Sequence, residues 1–194
     1  RVQDLEALIK AVDYVSMHTY PYHNSHYNPT FWEVPQQEQD LSDIEKIDAA
    51  MLRALEFAKR QYNEVSAYVK GVDSTKTIHI GETGWATASN GHYGADGSRA
   101  TDEYKQGLYY KHMRMWTDKE GISCFFFEAF DEQWKDITNT QGSENHFGLI
   151  RLDGVVKYAL WDMVDQNVFS GLERSGKPII KSYNGNKTLL LKEV

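Results

Sequence analysis

Thr77-Ile78-His79-Ile80-Gly81-Glu82-Thr83-Gly84-Trp85 is the stretch on which the reading of this chain turns. A short apolar run, rich in Ile and closed by glycine, reads as a buried parallel strand, and Glu82 falls where the strand stops and a loop begins. That end of a strand is where α/β folds carry their chemistry. A carboxylate abutting a buried strand is costly to desolvate unless it is paired or stands in a wet cleft. Trp85, three residues on, offers a flat apolar face of the kind that stacks on sugar rings. Two readings are open: Glu82 and Trp85 belong to a carbohydrate site, or Glu82 caps the next turn while Trp85 fills core.

Outward from this strand, helical and strand-like segments alternate. Val2 to Ala11 carries Leu5, Leu8 and Ile9 at helical spacing, and Tyr14 to Tyr20 reads as a strand ended by Pro21. A polar loop of about twenty residues, Pro21 to Asp40, follows, long enough to expect function or mobility. Ser42 with Glu45 is a capping box, opening an amphipathic helix with Ile44, Ile47, Met51, Leu55 and Ala58 on one stripe to about Val69. After the Glu82 strand comes a loop heavy in Gly, Ser and Asn, Ala86 to Ala100, and then a helix from Thr101 to about Thr117. Gly121 precedes the most apolar strand, Ile122 to Phe130. Strands alternating with helices predict an α/β fold with a parallel sheet. About three βα units are visible, too few to close a (β/α)8 barrel. The character changes near Ser170, so 1–170 is expected to be one unit and 171–194 a tail, with a small hairpin expected around Asn184-Gly185.

Composition narrows the function. A formal net charge of −7 argues against a nucleic-acid partner, which would want concentrated Lys and Arg. No apolar run approaches the roughly 20 residues that span a bilayer. The single cysteine, Cys124, cannot form an internal disulfide and reads as core filler. Twelve Tyr and five Trp exceed what a core of this size needs, and their polar tips suit a cleft for hydroxyl-rich ligands. His79, His92, His112 and His146 have no metal-ligand spacing, so neither a metal nor another cofactor is expected. The chain begins at Arg1 within a helical pattern, and the expectation is that its natural N-terminus lies upstream.

Glu82, Glu128, Asp131, Glu132 and Glu144 all fall within or after strand ends. Carboxylates gathered in a cleft raise one another's pKa, which lets one serve as acid and another as nucleophile. Lys135 is near enough to Glu132 to pair with it; the bland alternative is a solvated turn in which Asp131, Glu132 and Lys135 make local ion pairs.

Four motifs, in order, resemble glycoside hydrolase family 17, the β-1,3-glucanases and related glucanosyltransferases. They are Met17-His18-Thr19-Tyr20-Pro21-Tyr22, Ile80-Gly81-Glu82-Thr83-Gly84-Trp85, Phe127-Glu128-Ala129-Phe130-Asp131-Glu132-Gln133-Trp134-Lys135, and Glu144-Asn145-His146-Phe147-Gly148-Leu149. The resemblance covers most of this chain and under half of the family's catalytic domain. It implies the C-terminal portion of a TIM (β/α)8 barrel from a retaining enzyme acting on β-1,3-glucan, secreted, periplasmic or at the cell surface. Glu82 matches the family's nucleophile and Tyr20 its hydrogen-bonding neighbour. Glu132, Lys135 and Glu144 match auxiliary polar positions, Glu128 is expected among the substrate-binding or assisting residues, and Trp85, Trp134 and Phe130 are expected to line the cleft, with loop packing open for Trp134. The family's general acid is a Glu in an Asn-Glu pair upstream of the Tyr20 motif. No such pair precedes Tyr20 here, and Asn63-Glu64 falls in a helix after it. A complementary N-terminal barrel segment is therefore expected as partner and as source of the proton donor, and this chain alone is expected to be inactive. The rival expectations are a catalytically idle carbohydrate-binding module and a β-1,3-glucanosyltransferase.

Overall fold

The computed structural model describes residues 2–89 and 99–194. Arg1, His92 and the middle of the loop expected at 86–100 lie outside the described residues. The architecture is α/β. Helix α1 (Val2–Ala11) leads into β1 (Tyr14–His18), a short helix α2 (Pro21–Tyr27), the long helix α3 (Asp43–Val72), β2 (Thr77–Gly84), α4 (Glu103–Glu120) and β3 (Cys124–Phe127). The three strands form one parallel sheet in the order β1, β2, β3. Tyr14 pairs with Thr77 and Met17 with Ile80, and a register shift then sets His18 opposite Glu82. On the other side Thr83 pairs with Phe126 and Gly84 with Phe127.

Helix α3 starts where the capping box places it: Ser42 Oγ accepts from Glu45 N–H, and Ser42 N–H donates to Glu45 Oε2 at 2.9 Å. Its Met51, Ala54, Leu55 and Ala58 are buried together with Met17, Ile78 and Ile80 of the sheet and Tyr109 and Met113 of α4. The cap of α4 is Asp102 rather than Thr101, its carboxylate accepting from Lys105 N–H at 2.7 Å, and Gly121 in the left-handed region ends that helix. Gly84 stands where β2 and β3 approach most closely, since a Cβ there would lie 2.2 Å from the Phe127 carbonyl oxygen. Cys124 is free and half-buried, and burial pushes its thiol up to about 11, far from a thiolate nucleophile.

Two expectations change. The long polar loop is structured: α2 occupies its start, and 3-10 turns span Pro29–Trp32 and Gln36–Glu38. Asn184-Gly185 is not a hairpin turn. Tyr183, Asn184 and Gly185 all take positive φ inside a 3-10 turn, Ser182–Gly185. Beyond β3 come β4 (Val155–Val156), helix α5 (Trp161–Asp165), β5 (Glu173–Arg174), β6 (Lys177–Pro178), β7 (Ile180–Lys181) and α6 (Lys187–Leu190). The residues before the turn pair in parallel with β4, and Leu190 after it is buried in α6 against Tyr104 and Trp161. The antiparallel pair of this region is instead β5 with β6.

Candidate active site

Tyr20, Glu82 and Glu128 stand at the C-terminal ends of three neighbouring parallel strands. Tyr20 follows β1, and its hydroxyl donates to Glu82 Oε1 in a short hydrogen bond. The other oxygen, Oε2, is 3.5 Å from His18 Nδ1, and the Glu82 backbone carbonyl accepts from Thr19 N–H at 3.0 Å. Burial, the bond to Glu82 and the negative charges of Glu82, Glu144 and Glu128 all push the Tyr20 pKa upward. Tyr20 is thereby kept as an O–H donor, and the three carboxylates are close enough to one phenol to form a single electrostatic group.

His18 was not singled out by sequence reasoning. Part of the signal was present: Met17 is core, so alternation sends His18 to the other face of β1, and the register shift then sets it beside Glu82.

Lys135 binds two of the acids. Its ammonium is 2.9 Å from Glu132 Oε2 and 3.2 Å from Glu128 Oε2, and lies 3.7 Å over the Phe127 ring centroid. Burial pulls the Lys135 pKa down, but the bonds to Glu132 and Glu128 outweigh it and hold it above the ordinary lysine value. The bond from Lys135 keeps Glu132 below the usual carboxylate range. Glu144 is exposed on a 3-10 turn, Ser143–Asn145. Buried Asn145 fixes that turn, accepting from Asp136 N–H and donating to the Asp136 carbonyl, each at 2.9 Å.

The expected aromatic platforms separate. Trp85 is fully buried and cannot face a sugar: its Nε1–H donates to the Ala100 carbonyl at 2.8 Å, and its ring packs on Tyr22 and Tyr109. The reason is the irregularity of β2 between Ile80 and Thr83: it breaks the alternation, so Thr83, which bonds Tyr109, and Trp85 lie on the same helix-covered side as Ile78 and Ile80. Trp134, 66% exposed, keeps a free face. Phe130 is part-exposed, bridges to Ile150 and lies 5.8 Å from the Arg174 guanidinium, so its contacts are with the tail. Phe147 takes the aromatic place behind the site, meeting Tyr20, Tyr22 and Phe127 edge-on.

Asp131, fifth of the acids, does not join them. It is buried and bonded to Lys157 Nζ at 2.7 Å and to Gly148 N–H at 3.0 Å. A cavity of about 520 Å³ bordered by Thr87, Gln133, His146 and Arg151 adjoins this pair and includes neither Tyr20, Glu82 nor Glu128. Among the described residues no group of three or more His, Cys, Asp or Glu could hold a metal ion, and no helix is long and apolar enough to cross a membrane.

A helix-covered parallel sheet with carboxylates gathered at its C-terminal end is an α/β architecture of the class that carries catalytic acids at its strand ends. The BtgE/BtgC glycoside hydrolase domain family matches residues 2–148, and the chain belongs to it. A crystal structure of an endo-laminarinase from Formosa Hel1_33_131 is 58% identical with a TM-score of 0.93, over 99% of this chain and 49% of that one. A glucan 1,3-beta-glucosidase of Saccharomyces cerevisiae is 29% identical over 66% of this chain and 45% of its own length. An active-site mutant of a Rhizomucor miehei beta-1,3-glucanosyltransferase, 22% identical with a TM-score of 0.53 over 79% of this chain and 44% of that one, shares the fold. The chain thus spans about half the length of these relatives.

Proposed function

We propose that this chain is the C-terminal portion of a TIM (β/α)8 barrel and that the whole enzyme is a retaining glycoside hydrolase acting on β-1,3-glucan of the laminarin type. The observation that carries the reading is the Glu82 carboxylate at the C-terminal end of β2, with Oε1 engaged by the Tyr20 hydroxyl. A nucleophile held by one oxygen keeps the other aimed, and Oε2, with His18 Nδ1 at 3.5 Å, is the attacking atom. It adds to the anomeric carbon as the bond to the departing glucosyl oxygen breaks. That oxygen takes a proton from an acid about 5 Å from Glu82, and water later releases the sugar from Glu82. The likeness to an endo-laminarinase supports the choice of substrate, and exposed Trp134 is our choice for a sugar platform.

The acid is assigned to a preceding segment. Asn63 and Glu64 lie in the second half of α3, which runs back toward the start of β2, away from the strand end that carries Glu82. The same segment would cover α1, whose Leu5 and Leu8 are exposed, and the outer edge of β1, unpaired among the described residues. A polymer that does not cross membranes makes the enzyme secreted, periplasmic or cell-surface.

The test is the stereochemistry of the first product. NMR of laminarin digested by the full-length enzyme shows the β anomer appearing before mutarotation. The α anomer first, or no cleavage, contradicts the reading.

A further inference from the structure

Lys135 serves two carboxyl groups that are not alike. Glu132 keeps a third of its side chain in solvent, whereas the Glu128 side chain is 11% exposed. Glu128 Oε2 accepts from Lys135, and among the described residues no group donates to its buried Oε1. An ionised carboxylate needs partners or water at both oxygens, and one left bare favours the neutral form.

We propose that Glu128 is a positioning residue of the glucan-cleaving site that acts through Lys135. As a neutral carboxyl it accepts from the ammonium without competing with Glu132. As a carboxylate it draws the ammonium off Glu132 and adds a negative charge to the group around Glu82. The inference rests on the reading of Glu82 as the reacting carboxylate and adds to it a device that sets the alkaline limit of the reaction.

The surroundings agree. Glu132 and Lys135 face Glu128 from its own loop, and Tyr20 from the end of β1. Glu82 from β2 and Glu144 from the 143–145 turn meet the same phenol. Two carboxyls share one ammonium, and one of them, Glu128, also acts with Glu82 and Glu144 on a single phenol, an excess of negative charge that a proton on one carboxyl relieves. Burial first, and then hydrogen bonding with Glu132, raises Glu128 to about 7, against the opposing pull of Lys135.

Glu128→Gln keeps an acceptor for Lys135 and cannot ionise; Glu128→Leu removes the acceptor at every pH. The experiment measures kcat/KM of the full-length enzyme on laminarin from about pH 5 to about pH 9, with NMR of glutamate carboxyl carbons and of lysine Nζ followed over the same range. The expected wild-type profile falls on an alkaline limb near the Glu128 midpoint. In Glu128→Gln the limb moves up by about one pH unit or more, while Glu128→Leu loses rate across the range. A carboxyl resonance titrating with that limb is present in wild type and missing from Glu128→Gln. A limb unchanged in Glu128→Gln overturns the proposal, as does a wild-type enzyme with no glutamate titrating near neutrality.

Where the variants do not fold, the wild-type spectra decide: a Lys135 signal that moves with the Glu128 carboxyl supports the coupling, and one that stays fixed overturns it. Failure of the parent reading is seen separately, as full turnover by Glu82→Gln, and leaves these spectra unaffected.

Discussion

Glu128 and Asp131 stand three residues apart in one loop and have opposite surroundings. Asp131 is buried and its Oδ1 accepts two bonds, from Lys157 Nζ at 2.7 Å and Gly148 N–H at 3.0 Å, while Lys157 also donates to the hydroxyl of Thr87 at 2.7 Å. Burial pulls the Lys157 pKa down, yet Asp131 and Glu103 oppose the pull, and the pair joins the loop after β3 to the segment before α5. Glu128 accepts from Lys135 alone among the described residues, with no donor to its Oε1. Glu82 has the Tyr20 hydroxyl and a loose approach by His18. A buried acid bonded to a buried ammonium is a fastening, because removing its partner strands a charge. An incompletely paired acid at a strand end can still act on something else.

The sharpest way to break this comparison is to neutralise one acid on each side. Glu82→Gln in the full-length enzyme removes the attacking oxygen while keeping size, so laminarin turnover falls by about three orders of magnitude or more while binding persists. Retention of a tenth of the wild-type rate would contradict the assignment.

On the fastening side, Lys157→Met leaves Asp131 buried and unpaired and should cost about 3–5 kcal/mol of stability. Asp131→Asn in the same molecule should restore part of it, since its side-chain oxygen still accepts from Gly148 N–H. Chemical denaturation of the full-length enzyme reads both, and a Lys157→Met loss below about 1 kcal/mol would show that this pair is not a fastening.

The smallest effect belongs to the group between these extremes. Lys135→Met should lower kcat about tenfold, less than the 10²–10³ typical of a donor aimed at the transition state. Its loss and that of Glu132→Gln should be less than additive, because both break the same 2.9 Å contact. Strictly additive losses in the double variant would separate the two residues.

Local signals made the frame readable. The Ile-rich run at 77–84 is β2, and Ser42 with Glu45 opens α3 where the capping box says. The Glu132–Lys135 pair was legible from their spacing of three. What escaped depended on contacts distant in sequence. His18 meets Glu82 only through a register shift between β1 and β2, and Lys157 reaches Asp131 from 26 residues away. Trp85 lies in the core with Ile78 and Ile80 because an irregularity between Ile80 and Thr83 breaks the alternation of β2, which simple periodicity does not show. Asn184-Gly185 carries a hairpin signal, but the parallel pairing of β7 with β4 and the burial of Leu190 override it.

The central claim, that Glu82 is the carboxylate that attacks the sugar, is tested most directly by trapping. The full-length enzyme would be incubated with a 2-deoxy-2-fluoro laminaribiosyl fluoride, whose fluorine slows release of the covalent intermediate, and then digested and mapped by mass spectrometry. The account predicts one added sugar on the peptide carrying Glu82. An adduct on Glu128, Glu132 or Glu144, or no adduct from an enzyme that still cleaves laminarin, would contradict it.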